Sequence, residues 1–277
     1  MDLELRGKVA LVTAASKGMG KATAERFALE GASVVICARG QKDLDAAASE
    51  IQQASGASVL ALRADLSVAG DIQDVVEATL AEFGRIDALV CNAGGPPALR
   101  FEDATEDDWS KALDLSLHST MRLVRLVLPT MREQGGGSIA VITSTTVQEP
   151  SNGLILSTVP RLGIAGLFKA LSKDYGANGI RFNVVSPGGF RTDRSVELMS
   201  RQAQETGRSV DELVLEAGQG IPLGRLGEPE EIADVIVFLC SARASSVSYT
   251  HLRAHETMTG ISYAVFCLNR GGGGGGG

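Results

Sequence analysis

An excess of basic residues is missing from this 277-residue sequence: 26 Lys and Arg stand against 33 Asp and Glu, for a formal net charge of −7. With no basic stripe to neutralise a phosphate backbone, nucleic acid is not an expected partner. Also missing is any apolar run approaching the roughly 20 residues that cross a bilayer. The opening MDLELRGK alternates charge with leucine where a signal peptide needs an apolar core. A cytoplasmic protein with no membrane association is therefore expected. Cysteine is sparse, and Cys37, Cys91, Cys240 and Cys267 form no CxxC pair. Cys37 and Cys91 sit inside apolar runs, so buried reduced thiols are expected and no metal site. What the sequence does have is apolar material. With 44% hydrophobic and 21% charged residues, a disordered chain is excluded and one large α/β domain has the core it needs.

Short β-rich runs at 9–13, 33–38, 59–65, 88–92, 138–144 and 181–187 alternate with helical stretches near 19–30, 41–54, 70–83, 105–134, 155–176 and 229–240. The strand runs are almost continuously apolar, as strands covered on both faces are. Strand–helix alternation implies right-handed crossovers and a doubly wound parallel sheet in a single domain over 1–246. Between Thr192 and Gly224, two further amphipathic helices are expected around a turn at Gly207. From about Ser246 the pattern ends in a stretch without helical period, closed by seven glycines. The runs SVSYTHLRAHET and ISYAVFCL resemble in-frame translation of a transposon-type sequencing-library adapter, with poly-G readout supplying the glycines. On that resemblance residues 247–277 are expected to be a non-native disordered tail, and the domain to lack its native last strand.

After the first strand comes Thr13-Ala14-Ala15-Ser16-Lys17-Gly18-Met19-Gly20, opening directly into a helix. Such a turn points backbone N–H groups and a helix N-terminus at a pyrophosphate. Its two glycines alone also fit a tight turn without a ligand. Other motifs follow in order: Asp65-Leu66 after the third strand, Asn92-Ala93-Gly94 after the fourth, and Pro187-Gly188 with Thr192 after the sixth. With these, the chain resembles the short-chain dehydrogenase/reductase family over about residues 5–245, departing from its TGxxxGxG turn by Ala14 in place of the first glycine. The resemblance implies a Rossmann-like fold, a nicotinamide cofactor on these residues, and an adenine contact at Asp65. A carboxylate ending the second strand would take the ribose of NAD, whereas a cation accommodates a 2′-phosphate. Ala38 and Arg39 stand there, with Lys17 in the turn as a second cation, so NADP(H) is the expected cofactor.

The family's catalytic residues are a serine ending the fifth strand, a YxxxK pair on the next helix, and a helical asparagine. Ser144 matches the serine. Ser157, 13 residues later, falls on the tyrosine position, Arg161 on the lysine position, and Ser116, seven residues after Trp109, on the asparagine position. SxxxR in place of YxxxK looks like a divergent branch. Tyr175 lies too far along the helix to replace the tyrosine, and His118, about 200° round from Ser116, is expected to face away. The resemblance implies an NADP(H)-dependent oxidoreductase acting on a small carbonyl or alcohol, 3-oxoacyl reductase-like, with a lid at 192–224. It also implies a homodimer or homotetramer built on the helices near 105–134 and 155–176. A catalytically silent cofactor sensor or oligomeric binding module of the same fold is the alternative, because Ser157 is a far weaker acid than tyrosine.

Overall fold

The computed structural model describes residues 1–249 and, as backbone, 251–253. The apolar runs become parallel strands β1 (Val9–Thr13), β2 (Ser33–Ala38), β3 (Val59–Arg63), β4 (Ala88–Cys91), β5 (Gly137–Ile142), β6 (Ile180–Ser186) and β7 (His251–Arg253). They lie in the order β3-β2-β1-β4-β5-β6-β7. Helices α1 (Gly18–Leu29), α2 (Gln41–Ser55) and α3 (Ala69–Phe83) join the first four strands. The chain then continues through α4 (Glu106–Leu113), α5 (Ser119–Glu133), α6 (Ile155–Tyr175), α7 (Asp193–Thr206), α8 (Val210–Gln219) and α9 (Pro229–Cys240).

Alternation along each strand sorts the core into two layers. Ala10, Val12, Val34 and Ile36 pack with Phe27 of α1, Leu44 of α2 and Ile236 of α9 on one face. Leu11, Val35, Leu89 and Val184 pack with Val75 of α3, Val127 of α5 and Phe168 of α6 on the other. With the 3-10 turn that follows it, α6 is long and apolar enough over Ile155–Asn178 to span a bilayer by composition. Its Phe168 is instead wholly buried, edge-on to Phe182 of β6 with ring centroids 5.6 Å apart. Strand order reverses at β1, so the β1 and β4 carboxyl ends bound a crevice at the switch point, where ligands of such sheets bind.

Two expectations are corrected. The stretch 105–134 is not one helix: α4 ends at Leu113, a π-helical turn spans Asp114–His118, and α5 follows. The apolar period runs through all three pieces, so the widening leaves no mark on it. The domain also extends beyond 246. The Val247 carbonyl accepts from Asn183 Nδ2 at 3.1 Å, and Tyr249 N donates to Phe182 O at 2.6 Å. Backbone 251–253 then pairs in parallel with Val184–Ser186. An open strand edge accepts any extended backbone, because the ladder uses N–H and C=O groups and not side-chain pattern. The remainder of the expected disordered tail lies outside the described residues.

Candidate active site

The Gly-rich turn is built on close approaches that side chains would block. A Cβ on Gly20 would lie 2.5 Å from Ala14 O and 2.7 Å from Asn92 Nδ2, and Gly18 takes φ +54. Ala14 itself stands at φ +48, a left-handed conformation that L side chains resist. Asn92 Nδ2 holds it by donating to Ala14 O at 3.1 Å, and Ala15 N donates to Cys37 O at 3.1 Å. Thr13 Oγ1 donates to Asn92 O at 2.7 Å and accepts from Asn92 N at 2.9 Å, fastening the ends of β1 and β4. The first turn of α1 has neither a side-chain cap nor an acidic residue, whereas α4, α7, α8 and α9 carry reciprocal caps. Its N–H donors are therefore available to an anion, and the positive end of the helix dipole faces outward. Ser16 and Met19 complete the turn, both partly buried.

Around this turn the expected residues are only partly where sequence reasoning put them. Arg39 is exposed at the end of β2 and acts electrostatically on Asp65. Lys17 does not stand free for a phosphate: its Nζ is 2.8 Å from Asp43 Oδ2 on α2, which also raises its pKa. Asp65 accepts from Ser67 N at 2.9 Å and Ser67 Oγ at 2.7 Å. Burial is the largest influence on Asp65 and raises its pKa, but the Ser67 bonds and Arg39 together hold it below the ordinary carboxylate range. Leu66 is in the core, which leaves only its backbone for a ligand. Ala93 and Gly94 line the loop after β4, and Pro187 is buried with Gly188 beside it.

Of the positions expected to be catalytic, Ser144 follows β5, Ser157 and Arg161 lie on α6, and Ser116 lies in the π-helical turn. Thr145 N donates to Pro187 O at 3.0 Å, which sets the Ser144 turn against the proline-glycine turn. Ser144 Oγ accepts from Thr146 N at 3.2 Å, so its own O–H is left to donate to an incoming oxygen. On α6, Arg161 Nη1 donates to Ser157 Oγ one helical turn away. Burial is the main cause that lowers the Arg161 pKa, to about 10, with the Arg194 charge second; the group remains a cation at neutral pH. Ser116, in the π-turn, is 2% exposed, and its Oγ has no partner among the described residues. Its carbonyl accepts from Ser119 Oγ at 3.0 Å and Thr120 Oγ1 at 2.9 Å. Tyr175 packs against Phe182, and His118 pairs with Asp114 at 2.9 Å.

Helix α7 is capped by Thr192, whose Oγ1 accepts from Ser195 N at 3.2 Å in a reciprocal cap. A Cβ on Gly18 would lie 3.6 Å from Thr192 Cβ, so the start of α7 and the Gly-rich turn are in contact. Gly207, at φ +70, ends α7 and lets α8 turn back. Arg194, which sequence reasoning left without a role, folds back so that Nη2 donates to Pro96 O at 2.9 Å. Its one sequence signal is its place two residues after Thr192. No cluster of metal-ligating side chains occurs among the described residues.

The family model described as Enoyl-(Acyl carrier protein) reductase matches residues 13–254. Dehydrogenase/reductase SDR family member 4 of Oryctolagus cuniculus is 36% identical over 245 residues, which are 88% of this chain and 90% of that protein. The 3-oxoacyl-[acyl-carrier-protein] reductase FabG of Thermotoga maritima is 33% identical over 246 residues, 89% of this chain and 95% of that one. Among solved structures, L-sorbose reductase from Gluconobacter frateurii, complexed with NADPH and L-sorbose, superposes with a TM-score of 0.89 at 30% identity. That match covers 93% of this chain and 98% of the other.

Proposed function

The chain belongs to the short-chain dehydrogenase/reductase family, and from that premise we propose that it is an NADP(H)-dependent oxidoreductase of small carbonyls or alcohols, 3-oxoacyl reductase-like but with an altered proton supply. The observation that carries the reading is the β1–α1 turn, where Gly20 leaves no room for a Cβ and the first turn of α1 is uncapped. That cradle suits a pyrophosphate, and Arg39, free of a carboxylate side chain at position 38, suits a 2′-phosphate. Thr13, Asn92, Pro187, Gly188 and Thr192 would hold the nicotinamide end. L-sorbose reductase, superposing over most of the chain, was solved with NADPH.

When bound, the cofactor supplies a hydride. Ser144 donates its O–H to the substrate oxygen, fixing the carbonyl. Arg161, charged at neutral pH, stabilises the negative charge that develops on that oxygen. Ser157 orients Arg161 through their hydrogen bond and is too weak an acid to deliver the proton itself, so the proton that completes the alcohol is drawn from solvent water. The weakness of that acid equally favours a second reading, a cofactor-binding protein with little or no turnover. Oxidation of NADPH by the purified protein, assayed across aldehydes, ketones and 3-oxoacyl thioesters, separates the two. Steady turnover abolished by Ser144→Ala supports the enzyme, and NADPH binding without turnover supports the sensor. Assembly as a homodimer or homotetramer through α5 and α6 belongs to the same reading, supported by exposed Met121, Val159 and Leu162 on those helices. Light scattering tests it. A cytoplasmic location completes the proposal.

A further inference from the structure

The cation of the Gly-rich turn already has a carboxylate partner, supplied by a different helix. Lys17 Nζ lies 2.8 Å from Asp43 Oδ2, and Asp43 stands in the first turn of α2. The same oxygen would lie 3.9 Å from a Cβ on Gly40, the residue that follows Arg39 and caps α2 without a side chain. These distances bring the β1–α1 turn, the end of β2 and the start of α2 to one corner. The positive end of α2 favours a carboxylate there, which keeps Asp43 in place.

Other charges around this corner are engaged elsewhere. Lys21 pairs with Glu50, and Gln41 Nε2 donates to Asp45 Oδ1 at 2.7 Å, so neither competes for the pair. Arg39 acts on Asp65, whose carboxylate is tied to Ser67. Asp193, next to the Thr192 that rests on Gly18, adds a further attraction on Lys17. With side chains 53% and 49% exposed, Lys17 and Asp43 are open to solvent and to an incoming ligand. An exposed pair of this kind is weak, and a phosphate carrying about two negative charges can displace a carboxylate from it. Solvent screens the Asp43 charge beyond its immediate contact, so its influence on a ligand passes through Lys17.

The corner at the end of the second strand is where such folds distinguish a ribose 2′-hydroxyl from a 2′-phosphate. A neutral hydroxyl gains little from a lysine, whereas a phosphate gains a charge-assisted contact only if the lysine is released to it. We propose that Asp43 is a specificity-determining residue: as the resident counter-ion of Lys17 it withholds that cation from a 2′-phosphate and keeps the preference for NADPH over NADH modest. The inference rests on the reading of the chain as an NADP(H)-dependent oxidoreductase.

Titration calorimetry with adenosine 2′,5′-bisphosphate and with adenosine 5′-monophosphate examines this corner without the nicotinamide end and without turnover. Asp43→Asn keeps the shape and removes the charge. It is expected to tighten the bisphosphate about fivefold, the scale of an exposed ion pair, and to leave the monophosphate within about twofold. The ratio of the NADH Kd to the NADPH Kd should rise by the same factor. In a Lys17→Ala background, Asp43→Asn should tighten the bisphosphate by less than about twofold, because the cation to be released is gone. Unchanged bisphosphate affinity in Asp43→Asn, equal tightening of both nucleotides, or a fivefold gain that survives Lys17→Ala overturns the role of Asp43 alone. Failure of the wild-type protein to bind NADPH overturns the underlying reading and the inference with it.

Discussion

Ala14 holds a backbone conformation that costs an L residue roughly 1–2 kcal/mol. Replacing it with glycine relieves that strain and loses part of the gain to a freer unfolded chain. Ala14→Gly is therefore expected to raise the stability by about 0.5–1 kcal/mol, read as a higher urea midpoint at unchanged slope. The opposite holds at Gly20, where an added methyl would collide with backbone and Asn92. Gly20→Ala is expected to lower stability by about 1–3 kcal/mol and to remove NADPH binding, measured by calorimetry. Among the cations, Arg39→Ala is expected to reduce the preference for NADPH over NADH about tenfold. Lys17→Ala should do less, since Asp43 already answers Lys17. That difference between the cations was not legible in the sequence. Motif order places both at the turn, but the partner of Lys17 comes from another helix, and only the fold brings Asp43 within reach.

The helix proposed to carry the chemistry is α6, with Pro160 inside it between Ser157 and Arg161. Proline cannot donate the backbone bond of that turn, so the helix is held at the site by packing, through buried Leu156, Ile164 and Phe168. Ser157→Tyr with Arg161→Lys restores an acid of tunable pKa on this frame. It is expected to raise kcat on simple carbonyls by about 10²-fold or more, with NADPH affinity unchanged as the check that the ring is accommodated. Strand and helix boundaries from sequence agree with the structure to within about two residues because continuous apolar runs and a 3.6-residue period mark them. The π-turn at Asp114–His118 was illegible because its extra residue leaves the apolar face of α5 intact. Strand β7 was illegible because its pairing is wholly a backbone matter. At the site, motif spacing put Ser157 and Arg161 one helical turn apart on α6, as their hydrogen bond has them, whereas the return of Arg194 over Gly95 needed α7 in three dimensions.

At the scale of the molecule, Asp87 ties three strands at the amino edge of the sheet. Its side chain accepts from Val9 N at 3.0 Å and from Arg85 at 2.6 and 2.7 Å, with Lys8 at 3.3 Å, while its carbonyl accepts from Ser138 N at 2.9 Å. Burial is the largest single influence and raises its pKa, but the Arg85, Val9 and Lys8 interactions together hold it below the ordinary range. A carboxylate depressed in the folded state stabilises fully above its unfolded pKa, about 4, and loses that stabilisation as pH falls through the folded value. Asp87→Asn is expected to cost about 1–3 kcal/mol at pH 7 and progressively less below about pH 4, followed by urea unfolding across that range. At the opposite edge of the sheet, the contact between Gly18 and Thr192 has a kinetic meaning. Because the base of the lid rests on the turn that receives the dinucleotide, a substrate lodged first beneath the lid would bar the larger molecule behind it. Binding should then follow a compulsory sequence, dinucleotide on first and off last. In product-inhibition experiments, NADP+ should compete with NADPH, and the alcohol should not compete with the carbonyl.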